Sequence, residues 1–336
     1  MALDAEPGLM RAARVHEGGE VRVEEAPDPV AGEGEVLVEL RAAALNRRDL
    51  LVRNPPGPAY DFPKPFVAGH DGAGVRRDTG EEVVLYPGVG WGPDDQVPAG
   101  LRWLGGPLDG TFAELVAVPE ECVFPKPARL SWEEAASLPV AGMTAYRALF
   151  PVGGLRSGET VLVLGAGSGA STFAIALAAQ AGARVLVTSS SEEKIERSRE
   201  LGAGGGVLYT QDDWAAAVRE LAPDGVDLVI DSVGSTWPDS LRALRKGGRL
   251  VVFGGTGGAT AELDVRFVYL NWLSILGTTG ASPRQFGAFL ETAQAGTWHP
   301  VIDSVHPLDE VDAAYEALKA VHYGKVVLSI EAGPIR

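Results

Sequence analysis

Polar and apolar positions follow two rhythms along this chain. From Thr160 onward, short wholly apolar runs recur between stretches of helical spacing. Val161 to Leu164 contains nothing polar, as in a strand covered on both faces of a parallel sheet. Gly165, Gly167 and Gly169 follow, and glycine lets the backbone turn sharply and approach a neighbour closely. Ala170, Phe173, Ala174, Leu177, Ala178 and Ala181 then fall on one helical face. Gly182 ends that helix, and Val185 to Val187 starts a second strand. Further strands are predicted at Val207 to Tyr209, Val226 to Ile230, Arg249 to Phe253 and Ser274 to Thr278. Helices fill the gaps, among them Asp212 to Leu221 and Pro238 to Leu244. Strands and helices alternating in this way imply an α/β fold with a doubly wound parallel sheet and right-handed crossovers.

Before Thr160 the rhythm is that of strands. Val21 to Val23, Glu35 to Leu40, Glu82 to Tyr86 and Phe112 to Val118 are alternating or apolar runs divided by Gly and Pro clusters. Asn54 to Pro65, with five prolines, reads as an exposed loop. Tyr86 to Gly110 is a second long irregular stretch, holding Trp91 and Trp103, of the kind that serves as a lid. Ser131 with Glu134 forms a capping-box pair that opens a helix, and a second helix is predicted over Gly142 to Leu149. Ser190 with Glu193 reads as another such pair, its helix closed by Gly202. The chain ends with a helix at Leu308 to Ala320 and a strand at Lys325 to Ile330.

Strand, glycine turn, helix and strand make the first unit of a dinucleotide-binding fold. Gly165, Ala166, Gly167, Ser168, Gly169, Ala170 and Ser171 are therefore the candidate pyrophosphate contacts, with Ser171 where a third glycine is expected. A glycine turn in an ordinary α/β unit is the alternative, and the matching context on both sides favours the nucleotide. An NAD site places an acidic residue about 20 residues past the glycines, on the ribose 2′-OH. Here the second strand ends in Thr188, Ser189, Ser190 and Ser191, with Lys194 one turn later. Hydroxyls and a cation at that tip point to the 2′-phosphate of NADP(H). For Lys194 the competing reading is a solvated charge. Arg197 has Glu193 four residues before it as a helical partner.

Composition narrows the classes further. The 336 residues are 46% apolar and 22% charged, as in a globular protein with room for two domains. No run approaches the ~18 apolar residues that span a bilayer. The opening MALDAEPGLM lacks a basic-then-apolar signal, which makes a cytoplasmic location the expectation. The single cysteine, Cys122, excludes an internal disulfide and any site built on several thiolates, and reads as a small buried residue. A formal net charge of −16 argues against a nucleic-acid partner.

Several ordered motifs together resemble the medium-chain dehydrogenase/reductase superfamily, nearest its zinc-free quinone oxidoreductase branch. They are Glu33 to Val38, Leu45-Asn46-Arg47-Arg48-Asp49, Gly69-His70-Asp71-Gly72-Ala73-Gly74-Val75, Gly110 to Glu114, Leu138 to Ala145, the glycine turn, and Gly324 to Val327. The resemblance covers nearly the whole chain. It implies a β-rich, GroES-like catalytic domain over residues 1–126, a Rossmann domain over 127–298, and a return to the catalytic domain over 299–336. It also implies a cleft for nicotinamide and substrate, and a homodimer joined through the last sheet strand at Leu273 to Gly277.

Zinc-dependent relatives hold a catalytic metal with two cysteines and a histidine. At those positions this chain carries Asn46, His70 and Val140. Asparagine is a poor zinc ligand and valine is none, so no metal is expected. His70 is then a hydrogen-bonded histidine whose partner is Asp49 or Asp71. By the same resemblance, Thr144 lies near the nicotinamide. Ser232, Gly234, Phe253, Gly254 and Gly255 line the cofactor groove, and Tyr209 flanks the extra phosphate. Lys325 either reaches the cofactor phosphates or covers the strand edge. Asn46 either bonds the substrate oxygen or the ribose, or caps a turn. Tyr60 either serves as a phenol at the substrate mouth or packs on Pro63.

Without a Lewis acid, alcohol oxidation is disfavoured and an electron-poor acceptor is suited. The expected activity is NADPH-dependent hydride delivery to a quinone or an α,β-unsaturated carbonyl. Two alternatives stand beside it: a zinc-type alcohol dehydrogenase with an atypical ligand set, and a non-catalytic NADP(H)-binding protein.

Overall fold

The computed structural model describes residues 8–92 and 95–331; the first seven residues of the segment read for targeting and two positions of the Tyr86 to Gly110 stretch lie outside them. The chain divides into two compact units. One comprises Met1–Val140, Ser282–Ala295 and His299–Arg336, and the other Ala141–Ala281 and Gly296–Trp298.

The second unit is built on a parallel sheet of six strands. They are β1 (Thr160–Val163), β2 (Arg184–Ser189), β3 (Ala203–Leu208), β4 (Val226–Asp231), β5 (Leu244–Val252) and β6 (Ser274–Gly277). Their order is β3-β2-β1-β4-β5-β6, all neighbours parallel. This is the doubly wound arrangement, and its order reverses beside β1. Val161 to Leu164 is buried throughout, as an apolar run with sheet neighbours on both sides must be. Leu162, Leu164, Leu186, Val229 and Leu250 pack with Trp214, Val218 and Leu241 in one core.

Several elements differ from the sequence reading. Strand β5 starts five residues before the predicted Arg249, and helix Pro139–Arg147 starts three before Gly142. Three further differences have a local cause. The helix after the glycine turn, Gly169–Gln180, is buried without a break from Ser171 to Ala178, not along a single face. Its small side chains let neighbours close over it, and Trp298 lies edge-on to Phe173 at 5.9 Å. Strand β3 starts at Ala203, because Gly204 to Gly206 gives no apolar alternation to read. The Ser190–Glu193 capping box does not form. The helix is Glu192–Glu200 with Ser191 at its N-cap and no side-chain cap, and the Ser191 N–H turns back to Ser189 Oγ at 3.4 Å. Ser131 does cap its helix: it accepts from the Glu134 N–H at 3.2 Å, and Glu134 returns the bond to the Ser131 N–H at 2.9 Å.

The first unit holds a seven-stranded sheet centred on Glu35–Ala44. Asp71–Arg76, Leu115–Pro119 and the C-terminal Lys325–Ser329 all pair antiparallel with that strand. The C-terminal pairing, Val327 opposite Ala44, brings Lys325 to the start of a helix the apolar pattern did not reveal, Arg47–Arg53. Asp49 accepts from the Asn46 N–H at 2.6 Å and so closes the first turn of that helix. Within Tyr86 to Gly110, Gly88–Val89 and Arg102–Trp103 form a short ribbon. Helix Pro283–Ala295 belongs to this unit, with Phe286 packed on Phe124 at 5.0 Å and on Tyr86 at 5.6 Å.

Candidate functional site

The glycine turn sits at the carboxyl end of β1, beside the point where the strand order reverses. Gly165 has φ +68° and Gly167 φ +119°, a region in which a Cβ is strained. Thr188 at the end of β2 anchors the turn, its Oγ1 taking the Gly165 N–H at 3.1 Å and its carbonyl the Ala166 N–H at 2.8 Å. Ser171 is buried and works as an internal pin. Its hydroxyl accepts from the Gly167 N–H at 3.1 Å and lies 2.9 Å from the Ser168 carbonyl. Ser168 caps the helix by accepting from the Ser171 N–H at 3.1 Å. The N–H groups of Gly169 and Ala170, the first two helical positions, have no acceptor among the described residues. Two open donors at the positive end of a 12-residue helix are chemically suited to an anion.

Around the tip of β2, Ser190 is exposed and Lys194 half-buried in the first turn of the following helix. Ser189 is buried, and its carbonyl accepts from the Tyr209 N–H at 2.9 Å, which brings the half-exposed Tyr209 alongside. No carboxylate ends the strand itself, although Glu192 and Glu193 are exposed on the helix that follows.

The loops after β4 and β5 fit together through their backbones. Gly234 has φ +87°, and a Cβ there would lie 2.5 Å from the Gly258 carbonyl and 2.9 Å from Gly255 Cα. Ser232 accepts from the Thr256 N–H at 3.2 Å, and the Phe253 N–H donates to the Asp231 carbonyl at 3.0 Å. The buried Asp231 holds this corner, its Oδ1 accepting from the N–H groups of Val233 at 2.6 Å and Gly234 at 3.0 Å. Burial pushes the Asp231 carboxyl up, and those two donors pull it back down. Asp231 escaped the sequence reading, though an aspartate closing an apolar run at a strand end is a signal that could have found it. Thr144, in helix Pro139–Arg147, is buried to 8% exposure. The structure thus gathers the glycine turn, the β2 tip and the β4 and β5 loops at one edge of one sheet.

Asn46, Tyr60 and Lys325 belong to the first unit. Lys325 is 3% exposed and spends its three ammonium donors on Leu45 O at 2.8 Å, Asn46 Oδ1 at 2.7 Å and Asp71 Oδ2 at 3.0 Å. The Asn46 amide is committed at both ends, its Nδ2 donating to Asp71 Oδ2 at 2.8 Å. Asp71 is fully buried, and its Oδ1 accepts from the Val140 N–H at 2.9 Å. Burial pushes the Asp71 carboxyl up, while Lys325, Asn46 and Val140 pull it down.

His70 takes Asp49, not Asp71, as its carboxylate partner, with Nδ1 and Oδ1 2.8 Å apart. Its other nitrogen faces Arg48, whose Nε–H donates to His70 Nε2 at 2.7 Å. Arginine has no acceptor, so Nε2 must be the lone-pair nitrogen and Nδ1 carries the proton to Asp49. Arg48 also donates from Nη2 to Gly106 O at 3.2 Å. Its guanidinium carbon lies 5.3 Å from the Tyr60 ring centre and 5.9 Å from that of Trp103. Asp49 is one of the two partners the sequence offers His70, whereas Arg48 has there only a place in a motif, and its part in this network became visible with the fold.

These residues do not fit a zinc ion. The His70 Nε2 lone pair is held by a guanidinium, Asn46 Oδ1 by an ammonium, and the Val140 side chain has no donor atom. A divalent cation there would meet two fixed positive groups and lack three open ligands. Cys122, the one cysteine, is buried with Sγ 3.7 Å from Gly88 O, and burial pushes its thiol up to about 12. It stays protonated and inert.

With this geometry in hand, the likenesses to known proteins are informative. Residues 32–128 match the alcohol dehydrogenase GroES-like domain, and residues 169–295 match the zinc-binding dehydrogenase family. A zinc-type alcohol dehydrogenase-like protein of Schizosaccharomyces pombe is 35% identical over 325 residues, 89% of this chain and 91% of that one. The acryloyl-coenzyme A reductase of Metallosphaera sedula is 32% identical over 337 residues, 93% of this chain and 97% of that one. The crystal structure of an NAD-dependent alcohol dehydrogenase superposes with a TM-score of 0.88 at 36% identity, covering 96% of this chain and all of that one. Family models over both units and relatives along nearly the whole length agree with the two sheets described: the chain belongs to the medium-chain dehydrogenase/reductase superfamily and is an oxidoreductase of that type.

Proposed function

We propose that the protein reduces an α,β-unsaturated carbonyl or a quinone with hydride from NADPH, and does so without a metal. The observation that carries this reading is the closed donor set at Asn46, His70 and Val140, which leaves no room there for a Lewis acid to activate an alcohol. An acceptor that is already electron-poor needs none. The name of the acryloyl-coenzyme A reductase relative, an enzyme for an unsaturated thioester, supports the same class.

When bound, the dinucleotide supplies the hydride. The chain's part is to hold and orient it. The Gly169 and Ala170 N–H groups would take the pyrophosphate, with Gly165 to Ser171 giving the backbone close approach. Ser232, Gly234, Phe253, Gly254 and Gly255 would line the groove, and Thr144 would stand beside the nicotinamide. Ser190, Lys194 and Tyr209 would surround the 2′-phosphate, with Ser189 shaping the tip from beneath. Lys194→Ala is expected to weaken NADPH binding at least tenfold and leave NADH binding unchanged, as loss of one charge-assisted bond implies. Titration of both nucleotides checks it, and an NADPH affinity left unchanged in the variant would remove the NADP assignment.

A panel of quinones, enals, enoyl thioesters and alcohols, assayed with NADPH and NADH, tests the activity. Turnover confined to unsaturated acceptors supports the proposal. Alcohol-dependent NAD reduction with one tightly bound zinc per chain would favour the alcohol dehydrogenase reading that two relatives' names suggest. Tight NADPH binding with no turnover across the panel would make this a binding protein.

The proposed assembly is a homodimer. Strand β6 is the outer strand of its sheet, and Tyr269, Leu270 and Trp272 just before it are 59%, 59% and 83% exposed. An open strand edge flanked by large apolar side chains is suited to pairing with a second copy. Light scattering should give twice the 35.2 kDa chain mass. The proposed compartment is the cytoplasm; among the described residues no helix is long and apolar enough to cross a membrane.

A further inference from the structure

Arg48 is a half-buried cation whose outer donors the protein leaves open. Its inner edge is committed to His70 Nε2 and Gly106 O. Among the described residues Nη1 has no partner, and no carboxylate lies within ion-pair distance of the guanidinium. The nearest compensating charge, Asp49, is on the far side of the imidazole ring. Burial lowers the Arg48 pKa, so desolvation of this cation outweighs the attraction it receives. Buried charges are ordinarily paired, and an arginine serving only to fasten a loop would have a carboxylate to rest on. This one instead has a neutral ring nitrogen, a carbonyl and two aromatic faces, those of Tyr60 and Trp103. The chain Asp49–His70–Arg48 fixes the fork: Asp49 sets the tautomer, and that tautomer offers the lone pair on which Nε–H is anchored. The Tyr60 hydroxyl likewise has no protein partner among the described residues.

We propose that Arg48 is the oxyanion-binding residue of the acceptor site, its outward N–H groups receiving the carbonyl oxygen of the unsaturated substrate between Tyr60 and Trp103. The inference rests on the enone and quinone reading above. In that reaction hydride adds to the β-carbon, and the C=C electron pair moves to form a new double bond between the α-carbon and the carbonyl carbon. The C=O pair moves onto oxygen, giving an enolate. The guanidinium holds that negative charge until water protonates the α-carbon and the carbonyl re-forms. One hydride, a hydrogen with two electrons, leaves NADPH as NADP+, and that hydride and one solvent proton complete the saturated product. A fixed donor aimed at developing charge is the general means of stabilising such a state.

The test uses full-length protein with NADPH and the unsaturated acceptor that wild type turns over fastest. Arg48→Met is expected to lower kcat about 10²–10³-fold, the effect of losing one oxyanion donor, with NADPH affinity unchanged. Added methylguanidinium should restore at least tenfold of that loss, which a merely structural role would not allow. Arg48→Lys, keeping the charge without the fork, should fall between, and it replaces the methionine variant if that one fails to fold. A second readout needs no turnover: wild type should bind p-nitrophenol preferentially as its phenolate, seen in the absorption spectrum, and Arg48→Met should lose that preference. Wild-type kcat in the methionine variant, or phenolate binding that is absent from wild type or unaltered in the variant, overturns the proposal. Arg48-dependent phenolate binding without reduction of any unsaturated acceptor would instead sink the proposed activity and leave the oxyanion site standing.

Discussion

Lys325→Met will cost about 3–5 kcal/mol of stability at neutral pH, the usual result of removing one partner of a buried ion pair. Asp71 is fully buried and Lys325 is 3% exposed, so no water can replace the ammonium. The variant strands the Asp71 carboxylate and also leaves Leu45 O and Asn46 Oδ1 without their donor. A fall in Tm of roughly 10 °C follows for a unit of this size. The loss should shrink as the pH falls. A carboxyl whose folded pKa lies above its unfolded value carries no penalty below the unfolded pKa, and gathers one as pH rises through that value. Burial already pushes Asp71 in that direction, and removing Lys325 pushes it further. Urea unfolding at pH 7.5 and at pH 5 should therefore show a smaller gap between variant and wild type at the lower pH. Adding Asp71→Asn to Lys325→Met should recover part of the stability, since the two residues share one interaction. A single variant as stable as wild type would mean that the pair contributes nothing to the fold.

Ala170→Asp will separate binding from stability. Ala170 is the second helical residue after Ser168, and its N–H is one of two donors left open at the glycine turn. A carboxylate there would face a pyrophosphate held by that N–H. At an effective dielectric near 20, repulsion between two unit charges about 5 Å apart is about 3 kcal/mol, or roughly a hundredfold in affinity. The same carboxylate favours the helix by about 0.3–1 kcal/mol, because negative charge at a helix N-terminus complements its dipole. Isothermal titration should show NADPH binding nearly lost while thermal unfolding is unchanged or slightly later. Undiminished binding would show that the nucleotide does not use this helix.

Much of the nucleotide-binding half was legible because its signals are local. A short wholly apolar run such as Val161 to Leu164, closed by a glycine turn, fits a doubly covered strand. Glycines with positive φ at Gly165 and Gly167 stand where the sequence shows them. The departures have equally local causes. Three glycines in a row hid the start of β3, and an alanine-rich helix buried on every side looked one-sided because alanine carries little signal. Ser190 and Glu193 have the right spacing for a cap, yet the helix starts after Ser191, so pattern alone misplaced its first turn.

The polar network was different. Asn46, Asp49, His70, Asp71 and Lys325 could all be named from the chain, and the reading offered Asn46 and Lys325 to ligands. Their commitments are decided by a strand pairing that joins residues about 280 positions apart: Val327 opposite Ala44 carries Lys325 onto Asn46 and Asp71. No local rule encodes that register.

By itself, then, the sequence determined the parallel sheet, the glycine turn at its edge, and the lack of cysteine ligands at the place where relatives hold zinc, because each follows from residue type and short spacing. Only the tertiary structure decided which nitrogen of His70 bears the proton, that Lys325 is spent inside its own domain, and that Arg48 keeps donors open between two aromatic rings. Those outcomes depend on where hydrogen-bond donors and acceptors finish in three dimensions, and burial makes a pairing left unmade costly.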